Sequence, residues 1–226
     1  MNIPLTPRLI NIASHVNGAT AADIGTDHAY VPIELVRNGC CTRVIASDIR
    51  PGPAETARDN VRKYMCGDRI EVREGPGLSV IEKAETEDII IAGMGGILIR
   101  DIIEADIEKA KAARLVLQPM NSQYELRHYL LDNGFEITEE DISVEGFKVY
   151  NLIVAVKGQG RPFECDGLYH LPPYLSGHKY FDRLYAKKIR ELDKVIKGIT
   201  GSSAPDFEKL DRYRCWKKEI SEFFSK

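Results

Sequence analysis

Three carboxylates stand where short β-branched runs end. "AADIGTDHAYVP" (residues 21–32) places Asp23 and Asp27 either side of Gly25, and "VIASDI" reaches Asp48, 21 residues after Asp27. A glycine turn behind a strand is where dinucleotide folds hold a pyrophosphate, through G-x-G-x-x-G. Only Gly25 fits that pattern: Asp27 takes the second glycine position, and the third falls among His28–Tyr30. Two like charges at about 4 Å repel by about 4 kcal/mol at an effective dielectric near 20. NAD or FAD is therefore disfavoured, and the same physics favours a cation. S-adenosylmethionine (SAM) has an ammonium, a sulfonium and no phosphate. Asp48 stands where an acidic residue accepts both ribose hydroxyls of an adenosine, each charged hydrogen bond contributing roughly 1.5–3 kcal/mol. "REGPGL" adds a glycine turn, Gly75 and Gly77, where backbone can approach the adenine. Taken singly, Gly25 could be an ordinary turn and Asp27 a helix cap. Their order on successive strand ends carries the SAM reading.

The elements that must position these residues follow from periodicity. Strands are expected at 21–24, 43–48, 70–73, 88–92, 115–117, 135–143 and 150–156, with helices at about 31–38, 53–65, 97–105 and 122–133. Strands separated by such helices imply a doubly wound α/β sheet, mostly parallel. "IIIAGM" is apolar on both faces, as a central parallel strand requires. Only "VEGFK" separates the last two strands, so the sheet should end in an antiparallel pair. From Gly158 to His178 the chain is rich in Gly and Pro and reads as a linker. Tyr185, Ile189, Leu192 and Ile196 then recur at helical spacing. Ser203, with Asp206 three residues on, resembles a capping signal for a second helix, 206–224. The two helices suggest an antiparallel hairpin.

Composition bounds the rest. The chain has 226 residues, 43% of them hydrophobic, and no apolar run long enough for a membrane span. MNIPLTPRLI, with two early prolines, is not expected to be a signal peptide. Five cysteines without a C-x-x-C pair point to a reduced, cytoplasmic protein with no metal site. The net charge of −3 hides an asymmetry: residues 158–226 carry 14 Lys+Arg against 10 Asp+Glu, and the first 157 carry 17 against 24. An acidic body with a basic end suggests two tasks. Arg183, Lys187, Arg190 and Lys194 form one candidate basic stripe, suited to a polyanion. Trp216, among Arg212, Arg214, Lys217 and Lys218, reads equally as an RNA contact or as an aromatic on a solvated helix.

The series "PRLINIASHV", "ADIGTDHAYVP", "GPGL", "IIIAGMGG", "LVLQP" and "LRHYLLDNGF" resembles the bacterial tRNA adenine-N1 methyltransferases of the TrmK type, over residues 5–157. The resemblance implies a Rossmann-like methyltransferase domain at 1–157, and a linker with a basic helical domain at 158–226. It implies SAM as cofactor, tRNA as partner, and methylation of N1 of the adenine at position 22, in the D-arm region. By the same resemblance the cofactor set is Arg8, Asp23, Gly25, Thr26, Asp27, His28, Asp48, Ile49, Gly75, Gly77, Leu78, Ala92, Gly93, Met94 and Gly95. The catalytic candidates are Asp27, Tyr30, Gln118 and Pro119: Tyr30 reads equally as a stacking partner for the base or as a tyrosine packed on the sheet, and Gln118–Pro119, at a strand end on the carboxyl edge, read equally as a substrate contact or as a plain strand end before a helix capped by Ser122. Gly93–Gly96 match the loop that replaces the D/N-P-P-Y motif of exocyclic-amine methyltransferases. Pro76 departs from a frequent Asp, and Met120 from a frequent Asn. Two other readings compete: a SAM enzyme with another RNA or a small molecule as acceptor, and a non-catalytic SAM- or RNA-binding protein. The oligomeric state is left open, a monomer being the simplest.

Overall fold

A computed structural model describes residues 3–225, which fall into two compact units dividing between Gly160 and Arg161. In the first, seven strands make one sheet: β1 (Thr20–Ile24), β2 (Arg43–Asp48), β3 (Ile70–Glu74), β4 (Asp88–Met94), β5 (Arg114–Pro119), β6 (Phe135–Glu145) and β7 (Lys148–Lys157). The order is β3-β2-β1-β4-β5-β7-β6. β7 is antiparallel to both its neighbours, and the other pairings are parallel. The antiparallel pair arises as expected, with a tighter turn: Glu145 pairs with Lys148, leaving only Gly146 and Phe147 between the strands.

Helices belong to both units. Those of the first unit are α1 (Pro7–Ser14), α2 (Tyr30–Arg37), α3 (Pro51–Lys63), α4 (Gly96–Ala105), α5 (Ile107–Ala110) and α6 (Gln123–Asp132). α1, α2 and α3 bury Ile12, Ile33, Val36, Ala57 and Val61 against Val44, Ile90, Val116 and Leu152 on one sheet face. α4 and α6 bury Ile99, Ile103, Leu126 and Leu130 against Ile45, Ile89, Leu115 and Ile153 on the other. Each such side chain, fully buried, contributes about 1.5–3 kcal/mol. This two-sided burial is why the central strands are apolar throughout.

The strand order reverses between β1 and β4, a switch point at which α/β sheets open a crevice beyond their carboxyl ends. β4 carries a register irregularity there between Ala92 and Met94, with Gly93 at φ +76°. α1 was absent from the expected elements. It starts at Pro7 behind Thr6, whose hydroxyl accepts from the Leu9 N–H at 3.5 Å, a Thr-Pro start signal that an eight-residue apolar period was too short to announce.

The second unit holds α7 (Gly167–His170), α8 (Phe181–Thr200) and α9 (Phe207–Phe224). α8 and α9 are antiparallel: the Phe181 and Phe224 rings lie 4.9 Å apart, and Lys217 Nζ is 2.6 Å from Asp193 Oδ1. Three sequence expectations change. The cap of α9 is Asp206 alone, whose carboxylate accepts from the Lys209 N–H at 2.9 Å. The Gly- and Pro-rich stretch expected to be a linker is ordered within this unit. It buries Leu168, Tyr169, Leu171 and Leu175, and the Gly167 N–H donates to Glu219 Oε2 at 2.7 Å. Trp216 is buried, its indole N–H donating to Asp166 Oδ2 at 3.1 Å. It is a core residue and cannot offer a stacking face to RNA.

Candidate cofactor and methyl-transfer site

A cavity of about 680 Å³ opens at the switch point. Its walls are Arg8, Leu9 and Ile12 from α1, Asp23–Val31 from the end of β1 through the start of α2, and Asp48–Arg50 from the end of β2 and the turn after it. Gly75–Gly77 follow β3, Ala92–Met94 form the irregular end of β4, and Leu98 and Ile102 come from α4.

The glycine turn is built tightly. Gly25 has φ +80°, and a Cβ there would lie 1.9 Å from Met94 Cε. The Gly25 and Thr26 N–H groups both donate to the Ser47 carbonyl at 2.7 Å. A phosphate cradle needs such amides unspent and aimed at the ligand. Here the backbone has committed them, so exclusion of a pyrophosphate rests on more than the carboxylates.

The two aspartates of the turn part company. Asp23 is buried at the cavity floor. Burial raises its pKa to about 6, against a lowering by the Thr26 side-chain hydrogen bond and by the Arg8 charge, with Asp48 adding to the rise. A carboxyl so placed gains from any cation that enters. Asp27 lies at the mouth with its side chain 66% exposed, its Oδ2 3.4 Å from His28 Nε2. The His28 ring stacks on Tyr30 at 5.2 Å, the planes 15° apart. Asp48 is buried, and its Oδ1 accepts from the Arg50 N–H at 2.8 Å, leaving Oδ2 without a hydrogen bond among the described residues. These residues fit SAM: a buried carboxyl for a cation, a second with an oxygen for a diol, and apolar Ile49, Leu98 and Ile102 for an adenine.

Four expected site residues do not line the cavity: Leu78, Gly95, Gln118 and Pro119. Leu78 is fully buried under the adjoining turn, in the core beneath α4. Gly95 packs on the loop after β5, where a Cβ would meet Asn121 Oδ1 at 3.0 Å. Gln118 is buried and accepts from the Arg8 guanidinium at 2.9 Å, while its amide donates to the Pro119 carbonyl at 3.2 Å. It holds Arg8, which does line the cavity, and touches no ligand space itself. Pro119 ends β5 and is buried. Sequence reasoning missed Glu145, whose Oε1 accepts from the Arg8 N–H at 2.9 Å. No local motif marks it, because the bond spans 137 residues.

Comparison with known proteins agrees with the geometry. The methyltransferase-domain family matches residues 5–153. The chain is 40% identical over 215 residues to the tRNA (adenine(22)-N(1))-methyltransferase of Bacillus subtilis, covering 91% of this chain and 89% of the relative. The crystal structure of the B. subtilis m1A22 tRNA methyltransferase TrmK superposes with a TM-score of 0.86 at 31% identity, covering 97% of this chain and 99% of that one. Streptococcus pneumoniae Sp1610 in complex with SAM superposes with a TM-score of 0.82 at 33% identity, covering 96% and 99%.

Proposed function

We infer the activity from kinship and site together: the chain belongs to the bacterial tRNA (adenine-N1)-methyltransferase family, and it methylates N1 of adenine 22 in tRNA with SAM as donor. The observation that carries this reading is the cavity itself, lined by Asp23, a carboxylate where a dinucleotide would bring phosphate and SAM a cation, and by Asp48, a carboxylate suited to the adenosine ribose. SAM, when bound, supplies an electrophilic methyl group.

Asp48 Oδ2 accepts from the ribose diol, and Asp23 faces the positive end. Arg8, fixed by Gln118 and Glu145, together with the Thr26 hydrogen bond opposes the rise in the Asp23 pKa that burial causes. The adenine N1 has an in-plane lone pair and no proton to remove, so no general base is needed, and positioning and desolvation carry the rate. The "AGMGG" loop offers no side-chain acceptor for an exocyclic amine, in line with a ring-nitrogen target. Asp27, at the mouth, stabilises the positive charge that develops on the base. Tyr30, backed by His28, offers a ring face to an adenine that has left its stack.

Incubation with labelled SAM and unmodified tRNA should yield 1-methyladenosine at position 22, read by nucleoside mass spectrometry. Asp27→Asn should lower kcat by more than tenfold while changing SAM affinity less than threefold, since the charge develops in the transition state. Equal losses in both would make Asp27 a cofactor contact only.

The second unit serves as the tRNA grip. Arg183, Arg190 and Lys194 are exposed on α8, and Lys187 is half-buried with its Nζ 3.8 Å from Glu191. RNA binding by an acidic protein needs a local positive surface. Replacing Arg183, Arg190 and Lys194 together by Gln should weaken tRNA binding and reduce its log–log salt slope by about two, with SAM affinity unchanged. An unchanged slope would remove α8 from the RNA interface.

A further inference from the structure

The tip of the β6–β7 hairpin stands on the cavity's side of the sheet. β6 runs parallel to β1–β5, so its end at Glu145 lies on the carboxyl side of the sheet, the side on which Asp48 and Met94 line the cavity. β7 pairs with β5 only as far as Ile153, opposite Leu117. From there β7 extends five residues, Leu152 to Lys148, where β5 extends two, Gln118 and Pro119. The hairpin therefore projects about three residues, or about 10 Å, beyond its neighbour. Its ladder remains intact to the last pair, Glu145 with Lys148, and Gly146 at φ +57° makes the two-residue turn. The tip is thus paired to its turn, and it is tied to the cavity wall. Arg8, which lines the cavity, donates its N–H to Glu145 at 2.9 Å and sets its guanidinium 5.6 Å from the Tyr150 ring centroid.

At that tip Phe147 is 87% exposed, with Lys148 exposed beside it. An apolar ring at this turn gives nothing to the core, and it presents its face to whatever docks beside the cavity. We propose that Phe147 stacks on an RNA base next to the adenine that enters the cavity, with Lys148 at the adjoining phosphate. This rests on the tRNA reading above. A base displaced from its helix leaves a neighbour with a bare face, and aromatic side chains take such faces without regard to base identity. The tip thus acts in positioning, outside the reacting atoms.

The test compares Phe147→Ala, Phe147→Leu and Phe147→Trp in the full chain, with fluorescently labelled tRNA for affinity and steady-state methylation for KM and kcat. Phe147→Ala should raise both Kd and KM for tRNA about tenfold, with SAM affinity and melting temperature unchanged. Phe147→Leu should lose as much as Ala, and Phe147→Trp should match or exceed the wild type. Unchanged tRNA affinity in Phe147→Ala overturns the proposal. So does full retention in Phe147→Leu, which would mean apolar contact without stacking. A wild-type chain that binds tRNA but makes no 1-methyladenosine would sink the reaction assignment instead, and the affinity ratios would still decide the role of Phe147.

Discussion

Replacing Asp48 by Ala should weaken SAM binding ten- to a hundred-fold in calorimetry. Its carboxylate is 5% exposed and stands at the end of β2, with Oδ1 fixed by the Arg50 N–H. The remaining oxygen can accept from a ribose diol, and each charged hydrogen bond contributes about 1.5–3 kcal/mol, or about tenfold per 1.4 kcal/mol. Asp48→Glu should recover part of the loss, because it keeps the charge and displaces it by one methylene. The fold should tolerate Asp48→Ala, since the turn before α3 loses only the two bonds from Arg50, the N–H at 2.8 Å and Nε at 3.4 Å. Unchanged SAM affinity in the alanine variant would refute the assignment of Asp48 to the ribose.

Asp23→Asn should separate stability from binding. Burial raises the Asp23 pKa to about 6 from 3.8. Between those values the folded chain holds a proton that the unfolded chain releases, so stability falls as pH rises from about 4 to about 6 and is level above. The cost at neutral pH is of order 3 kcal/mol at most, at about 1.4 kcal/mol per pKa unit. Asp23→Asn removes that cost. The ligand-free variant should melt several degrees higher than the wild type at pH 7.5 and at the same temperature near pH 4. SAM affinity should move the opposite way, falling more than tenfold at pH 7.5. In the wild type, affinity should decline below pH 6 as Asp23 takes up its proton; in the variant that decline should vanish. Calorimetric titrations across pH 5–8 check both. A variant that binds SAM as tightly as the wild type at pH 7.5 would mean that the carboxylate does not face the cation.

The sheet was legible because its information is local. Runs such as "IIIAGM" must be buried on both faces, and the Gly and Asp residues that follow each run mark the carboxyl edge. The strand cores and the ends at Asp48 and Gly25 followed from that pattern alone. What escaped depends on distance along the chain. Gln118 looked like a substrate contact because it stands at a strand end, but the cavity wall on that side belongs to Arg8, brought there by α1 from the far end of the sequence. The difference between Asp23 and Asp27 was also hidden, since spacing says that both lie on one turn and nothing about which points inward. In the second unit, Gly and Pro content suggested a loose connection, and Trp216 with Leu168 and Leu175 instead gives that stretch a core.

The commitment of the Gly25 and Thr26 amides to Ser47 bears on how this pocket could be redirected or blocked. Exchanging Asp27 for Gly would restore the letters of a dinucleotide fingerprint without restoring its donors, because the two N–H groups already hold β1 to β2. Cofactor engineering by side-chain replacement alone should therefore fail here. Inhibitor chemistry inherits the same constraint. A competitive compound gains from a basic nitrogen over Asp23 and a vicinal diol at Asp48, and phosphate or sulfonate isosteres, which improve so many nucleotide mimics, should lose affinity in this scaffold.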